Sequence, residues 1–87
     1  MEKDYKKILN SNVTKVIGFK QVARHIEKKN LSLVILAEDA DTFFKDKVLS
    51  LCKKNNITII YIESKKELAS LVGIAVPTAV VGIIEKV

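Results

Sequence analysis

The chain has 87 residues and a mass of 9.7 kDa, a size that accommodates a single hydrophobic core and argues against a large multi-step enzyme. Hydrophobic residues make up 48% and charged residues 29% of the chain, a composition that excludes an intrinsically disordered protein. We therefore expect residues 1–87 to form one folded domain. Cys52 is the only cysteine, so folding cannot depend on an internal disulfide.

Positive charge is concentrated in the first third of the chain. The net charge is +5, and residues 1–30 carry eight basic against three acidic side chains, whereas residues 31–87 carry seven of each. This asymmetry favours a polyanionic partner such as nucleic acid, although solubility alone is a simpler explanation. No apolar run follows the charged N-terminus, and Pro77 interrupts the low-charge stretch 68–84. We therefore expect a cytoplasmic protein with neither a signal peptide nor a membrane span.

Helix and strand patterns alternate through the first half of the chain. Residues 3–10 have the spacing of a short amphipathic helix, and residues 13–17 are rich in β-branched residues, as strands are. After Gly18, apolar side chains at helical spacing predict a helix with Phe19, Val22, Ala23 and Ile26 on its inner face. The uninterrupted apolar run 33–37 is typical of a strand that is covered on both faces.

The alternation continues in the second half. A helix is predicted after the acidic segment 38–41, with Asp41 or Thr42 as its N-cap and with Phe44, Val48, Leu51 and Cys52 on its inner face. Residues 57–62 predict a strand. Ser64 and Glu67 form a capping box that begins the next helix, and Gly73 ends it. A last strand is predicted at 78–84. Helices of this length between strands predict βαβ crossovers. The fold class is therefore α/β, a three-layer α/β/α sandwich with about four strands.

Residue types that catalysis and metal binding require are scarce. His25 beside an apolar face and Cys52 on a buried one cannot form a zinc site, and we expect no metal. The acidic residues Glu38, Asp39 and Asp41 follow a buried strand, where open α/β sheets place ligands. They could hold magnesium or accept a phosphoryl group, which would make the protein a small enzyme or phosphoacceptor. We favour the simpler interpretation, that these carboxylates cap the next helix.

The helix after Gly18 has a basic outer face. Lys20, Arg24 and Lys28 recur every four residues, and Gln21 lies beside them. Gly18 allows a phosphate or base to approach the exposed N–H groups of the helix start. The Gln21 amide can pair with a base edge, whereas lysine contributes mainly charge. A solvated helix face explains the same pattern, so the pattern alone leaves both readings open.

The connection 74–77 is apolar although it joins two elements. Ile74, Ala75 and Val76 either fold back onto the core or contact an apolar partner, such as the face of an unstacked base. From the pattern alone, core packing is the simpler of these two interpretations.

Four motifs in order resemble the ribosomal protein L7Ae and L30e family, and in particular its small bacterial members that bind kink-turn RNA. The motifs read GFKQVAR at 18–24, LVILAEDAD at 33–41, SKKEL at 64–68 and GIAV at 73–76. The resemblance covers residues 13–84 and implies an α/β/α sandwich that binds RNA without catalysis or a cofactor. It implies that the partner is a structured RNA with a kink-turn, ribosomal RNA being one candidate. Nothing in the sequence indicates an oligomer, and we expect a monomer.

The resemblance also implies roles for individual residues at the sheared G·A pairs of the kink. Gly18 allows the RNA to approach the helix start, Lys20 and Gln21 face the guanine edges, and Arg24 holds the backbone. Lys28 joins this site from the four-residue spacing of the basic face and not from the resemblance. The remaining members of the implied site are the loop residues that pack on the flipped-out base and a lysine that meets phosphate: Ile74, Ala75, Val76 and Lys65.

Overall fold

The computed structural model describes residues 14–84, and the helix expected at 3–10 lies outside them. The described elements are β1 (Thr14–Ile17), α1 (Phe19–Glu27), β2 (Leu33–Ala37), α2 (Thr42–Lys54), β3 (Thr58–Ile62), α3 (Lys65–Val72) and β4 (Val80–Ile84). Their order is the predicted one. The predicted bounds of β2 are confirmed, β3 begins one residue later and β4 two residues later than predicted, and the predicted start of β1, residue 13, lies outside the described residues.

The four strands form one mixed sheet in the order β1-β4-β2-β3. β2 and β3 pair in parallel, whereas β4 is antiparallel to both of its neighbours, β1 and β2. The first three strands therefore run in one direction, and α1 and α2 are the crossovers between them, as predicted. The predicted crossover pattern fails at β4, which runs in the opposite direction between β1 and β2.

The connection after α3 explains the reversal of β4. With eight residues, α3 is about 12 Å long, and residues 73–79 lead the chain back toward its start. The Thr78 N–H donates to the Lys65 carbonyl oxygen at 3.4 Å, which places the end of this connection beside the first residue of α3. β4 consequently begins at the edge where β3 ends, and it can only run antiparallel.

Two edges of the sheet are useful landmarks. We call the edge where β1, β2 and β3 end and β4 begins the carboxyl edge. The opposite edge, where β1, β2 and β3 begin, is the amino edge. All three described helices begin at the carboxyl edge, because each follows one of these strands directly. α1 and α2 end at the amino edge, since each is followed by the next strand's start.

The core has two halves, one on each face of the sheet, and this confirms the three-layer sandwich. α1 and α2 cover one face, where Val22, Ile26, Val48 and Cys52 pack on Val34, Leu36 and Val80. α3 covers the other face, where Leu68 packs on Leu33, Ile35, Ala37, Ile62, Val81 and Ile83. Every residue of β2 is buried, which is why its sequence is uniformly apolar. Burial also raises the pKa of the Cys52 thiol to about 11.

Each described helix ends in the same motif. The residue after the C-cap of α1 and of α2 adopts a left-handed conformation, as Gly73 does after α3. These residues are Lys29 at φ 60°, Asn56 at φ 57° and Gly73 at φ 78°. In each case the next N–H bonds back five residues, as in Ile74 to Ala69 at 3.0 Å. Of the helices within residues 14–84, none has the length and apolar character needed to cross a membrane.

Candidate nucleic-acid interface

The start of α1 is an open backbone surface at the carboxyl edge. Gly18 is its N-cap at φ 94° and ψ 154°, a conformation that is almost restricted to glycine. Among residues 14–84, no heavy atom lies within 4 Å of a Cβ built on Gly18, so the described part of the chain leaves this turn open. The N–H groups of residues 19–21 have no acceptor within the helix, because that is inherent in the first turn of any α-helix.

α1 differs from the other two described helices in how it begins. Asp41 caps α2 and Ser64 caps α3, each accepting a backbone N–H, whereas glycine supplies no side-chain cap to α1. The first turn of α1 contains no acidic residue, and Lys20 lies in it. A lysine at this position is opposed by the positive end of the helix dipole, and a bound anion would relieve that repulsion.

The outer face of α1 carries the predicted basic residues. Lys20, Gln21 and Arg24 are exposed, while Val22 and Ile26 are buried against the sheet, so the predicted amphipathic helix is confirmed. Lys28 is exposed just after the helix and keeps a helical conformation. It follows Gly18 by ten residues, roughly 15 Å along the axis, and therefore lies at the amino edge, away from the helix start.

The connection between α3 and β4, residues 74–79, presents apolar side chains to solvent. Val76 is 69% exposed and Ala75 is also exposed, so core packing, the interpretation favoured by the pattern, is wrong for both. Ile74 is half-buried, and its N–H completes the end of α3. Thr78 is buried, with its hydroxyl donating to the Val80 carbonyl oxygen at 3.2 Å. The connection is thus anchored at both ends and exposes its middle.

Backbone hydrogen bonds hold this connection next to the start of α1. The Gly18 N–H donates to the Val80 carbonyl oxygen at 3.1 Å, and the Ala37 N–H donates to that of Ala79 at 2.8 Å. Lys65, which is exposed, lies on the other side, since its carbonyl oxygen accepts from Thr78. The carboxyl edge therefore brings together the glycine turn, the exposed apolar loop and Lys65, which are far apart in the sequence.

The acidic segment after β2 has a structural role. An Asp41 carboxylate oxygen accepts the Phe44 N–H at 3.3 Å, and an Asp39 oxygen accepts the Lys65 N–H at 2.9 Å. Asp41 therefore caps the next helix, α2, as the simpler interpretation predicts, whereas Asp39 caps the start of α3 instead. Lys45 Nζ donates to the Glu38 backbone oxygen at 2.9 Å. Residues 14–84 contain no group of three His, Cys, Asp or Glu side chains able to hold a metal ion.

An aromatic and cationic cluster beside α1 was not predicted. Phe43, in the first turn of α2, is 73% exposed, and the Lys47 ammonium lies 4.8 Å from the Phe19 ring centroid and 5.8 Å from that of Phe43. Phe19 also meets the Phe44 ring edge to face, with centroids 5.6 Å apart. The available signal was the adjacent pair at 43–44, since only one of two neighbouring residues can face the sheet.

Comparison with known proteins identifies a protein family and several relatives that are named as RNA-binding proteins. The sequence profile of the ribosomal protein L7Ae/L30e/S12e/Gadd45 family matches residues 1–87. An RNA-binding protein of Geobacillus sp. (strain WCH70) is 38% identical over 80 residues, which cover 92% of this chain and 96% of that protein. An RNA-binding protein of Staphylococcus aureus (strain JH9) is 31% identical over 70 residues, 80% of this chain and 83% of that protein.

Solved structures share the fold. A 15.5kD RNA binding protein of Giardia lamblia superposes with a TM-score of 0.78 at 23% identity, over 93% of this chain and 68% of that one. A protein of unknown function from Bacillus halodurans C gives a TM-score of 0.76 at 25% identity, over 82% and 71% of the two chains. With the match over the whole sequence, these relatives establish that the chain belongs to the ribosomal protein L7Ae/L30e/S12e/Gadd45 family.

Proposed function

We propose that this protein binds structured RNA at the carboxyl edge, recognises a kink-turn and stabilises its bent form. It does so as a monomer, without a cofactor and without catalysis, and kink-turns of ribosomal RNA are one class of target. One observation carries the proposal. The Gly18–Val80 hydrogen bond joins the uncapped, basic start of α1 to the first residue of β4, directly after the exposed loop 74–79. This arrangement supports one surface with phosphate, base-edge and base-face contacts.

The start of α1 supplies the phosphate and base-edge contacts. A phosphate on the free N–H groups of the first turn is attracted by the helix dipole and by Lys20. Gln21 is exposed beside that turn and offers both a donor and an acceptor to a guanine edge. Arg24, one turn further along the same face, holds the adjacent backbone, and Lys28 meets phosphates further from the kink.

The exposed loop supplies the apolar contact. Ala75 and Val76 present aliphatic surface at the carboxyl edge, and the flat face of a base that has left its stack covers such a surface. Ile74, half-buried at the end of α3, fixes the position of these two side chains. Lys65 begins α3 beside the loop and reaches the phosphate of the same nucleotide.

The proposed action on RNA is a shift between two existing forms. Kink-turn RNA samples open and bent forms, and a ligand that contacts only the bent form stabilises it by the difference between its two affinities. Bending brings phosphates together, and the basic face of α1 offsets their repulsion. The protein needs no moving part, because its loop and helix are already held together by backbone hydrogen bonds.

Alanine variants of the two neighbouring residues at the helix start test base recognition. The Gln21→Ala variant should reduce the preference for an intact kink-turn over one with Watson–Crick pairs by about tenfold, the effect of roughly 1–3 kcal/mol for a base contact. Lys20→Ala should weaken binding to both RNAs, because Lys20 contributes charge in addition to its contact. Lys66→Ala, an exposed lysine outside the proposed site, is the matched control. Equal effects of Gln21→Ala on both RNAs would contradict base recognition.

A further inference from the structure

The amino edge contains a cleft that the proposed function does not use. It has a volume of about 270 Å³ and lies where α1 and α2 end, between the segments that lead into β2 and β3. Lys29 and Lys54 line it together with Asn55 and Asn56, and the buried side chain of Ile26 contributes to its apolar part. Cations and amides around a cleft of this size suit a phosphate group and its neighbours.

Charge at the described helix ends of this edge is strongly one-sided. The ends of α1 and α2 carry four exposed lysines, Lys28, Lys29, Lys53 and Lys54, and Glu27 is the one acidic residue in residues 25–32 and 53–57. The carboxyl edge, in contrast, mixes its lysines with the carboxylates of segment 38–41. Lysines near a helix end interact favourably with its dipole, so their number alone does not assign a function to this edge.

The backbone of Lys29 is a second, independent indication. Lys29 follows the C-cap of α1 at φ 60°, a position where glycine or asparagine is usual and where a lysine is strained. The equivalent residues after α2 and α3 are Asn56 and Gly73, which fit their conformations. Lys29, a residue that a left-handed conformation disfavours, thus occupies this position at a helix end that lines the cleft.

We propose that this cleft is a second RNA contact, in which Lys29 and Lys54 hold backbone phosphates of a helical arm that extends beyond the kink. The inference rests on the proposed function, because it places the same RNA across α1 from the carboxyl to the amino edge. Gly18 and Lys29 are roughly 16 Å apart along α1, a span that one arm of a kinked duplex can follow. The contact is to phosphates, so it adds affinity without adding base specificity.

The experiment measures the affinity of the protein for three kink-turn RNAs. One has two short arms, and in each of the other two a different arm is lengthened. The unmodified protein should bind one long-armed RNA about tenfold more tightly than the short-armed one. The double variant Lys29→Gln with Lys54→Gln should lose this gain and keep its affinity for the short-armed RNA. For the long-armed RNA, its affinity should depend less steeply on salt, with a slope lower by about 2. The double variant Lys53→Gln with Lys66→Gln removes two exposed lysines outside the cleft and should keep the gain.

The single variant Lys29→Gly separates binding from folding. It should raise the melting temperature by about 4 °C, because glycine adopts the left-handed conformation freely, and yet it should weaken binding of the long-armed RNA. No gain from either lengthened arm, or equal losses in the two double variants, would overturn the second contact. Stabilisation by inorganic phosphate without any gain from the longer arms would assign the cleft to a small anion and also overturn it. Failure of the unmodified protein to prefer the intact kink-turn would instead contradict the proposed function.

Discussion

The carboxyl and amino edges use the same helices in opposite ways. At the carboxyl edge, α2 and α3 begin with side-chain caps from Asp41 and Ser64, and α1 begins with a bare glycine. At the amino edge, α1 and α2 end in lysines around a cleft. Helix dipoles favour anions at the first edge and cations at the second. The exception, the basic and uncapped start of α1, is therefore the position where an external anion gains most.

The largest expected effect comes from a substitution in the core, which supports both edges. Ile35 is fully buried in the middle of β2, and Ile35→Ala should lower the free energy of unfolding by about 3 kcal/mol through the lost burial and the cavity it leaves. Chemical denaturation measures the loss. Contacts at both edges should weaken together as the folded fraction falls, and a loss at one edge alone would show that the edges fold independently.

A substitution at Gly18 tests the strain in the turn that begins α1 at the carboxyl edge. Gly18→Ala should cost about 2 kcal/mol of stability, because alanine is strained at φ 94° and ψ 154° even though its Cβ meets no atom within 4 Å. Thermal unfolding measures this cost. Gly73→Ala, at φ 78° and ψ 30°, should cost about 1 kcal/mol, since the left-handed helical region is less restrictive. Equal costs would show that the α1 turn is not specially strained.

Asp41 tests whether the acidic segment serves structure or chemistry. Asp41→Ala should lower stability by about 1 kcal/mol through the lost N-cap of α2, and Asp41→Asn, which can still accept the Phe44 N–H, should lower it less. Asp46→Ala, an exposed position within α2, is the control. RNA affinity should survive Asp41→Asn. A phosphoryl-transfer or metal-dependent activity that this variant abolished would support the competing enzyme hypothesis.

The smallest effect concerns the thiol beneath the end of α2. Burial raises the pKa of Cys52 to about 11, so the folded protein keeps this proton at pH values where the unfolded chain, with a pKa of about 9, has lost it. Its contribution to stability is complete below pH 9 and declines as the pH rises toward 11. In Cys52→Val the unfolding free energy should decline less over this range. Rapid thiol labelling of the folded protein at pH 8 would contradict the burial.

The sequence was sufficient to predict where the helices and strands lie, but not how some of them pack against one another. Apolar spacing located each described helix and strand because each element packs one face, or both faces in β2 and β4, against the core. The reversal of β4 could not be predicted, since it depends on a connection that returns to the start of α3 through the Thr78–Lys65 hydrogen bond. That bond joins residues whose sequence shows no mutual signal.

The same limit applies to the candidate site. The basic face of α1 was predicted because it follows from helical spacing within one segment. The exposure of Ala75 and Val76 was not, because an apolar loop sequence is the same whether the loop folds inward or outward. The cleft was also invisible, since Lys29 and Lys54 come together only when α1 and α2 pack side by side.

The most direct test of the central claim is a titration of the protein against a kink-turn duplex labelled on both arms, following end-to-end energy transfer. The control RNA has Watson–Crick pairs in place of the G·A pairs, and both are measured at two salt concentrations. We predict that the intact RNA alone binds tightly and gains energy transfer as its arms come together, with one protein per RNA. Similar binding of both RNAs that vanishes at the higher salt concentration would contradict the claim and reduce the carboxyl edge to a non-specific basic surface.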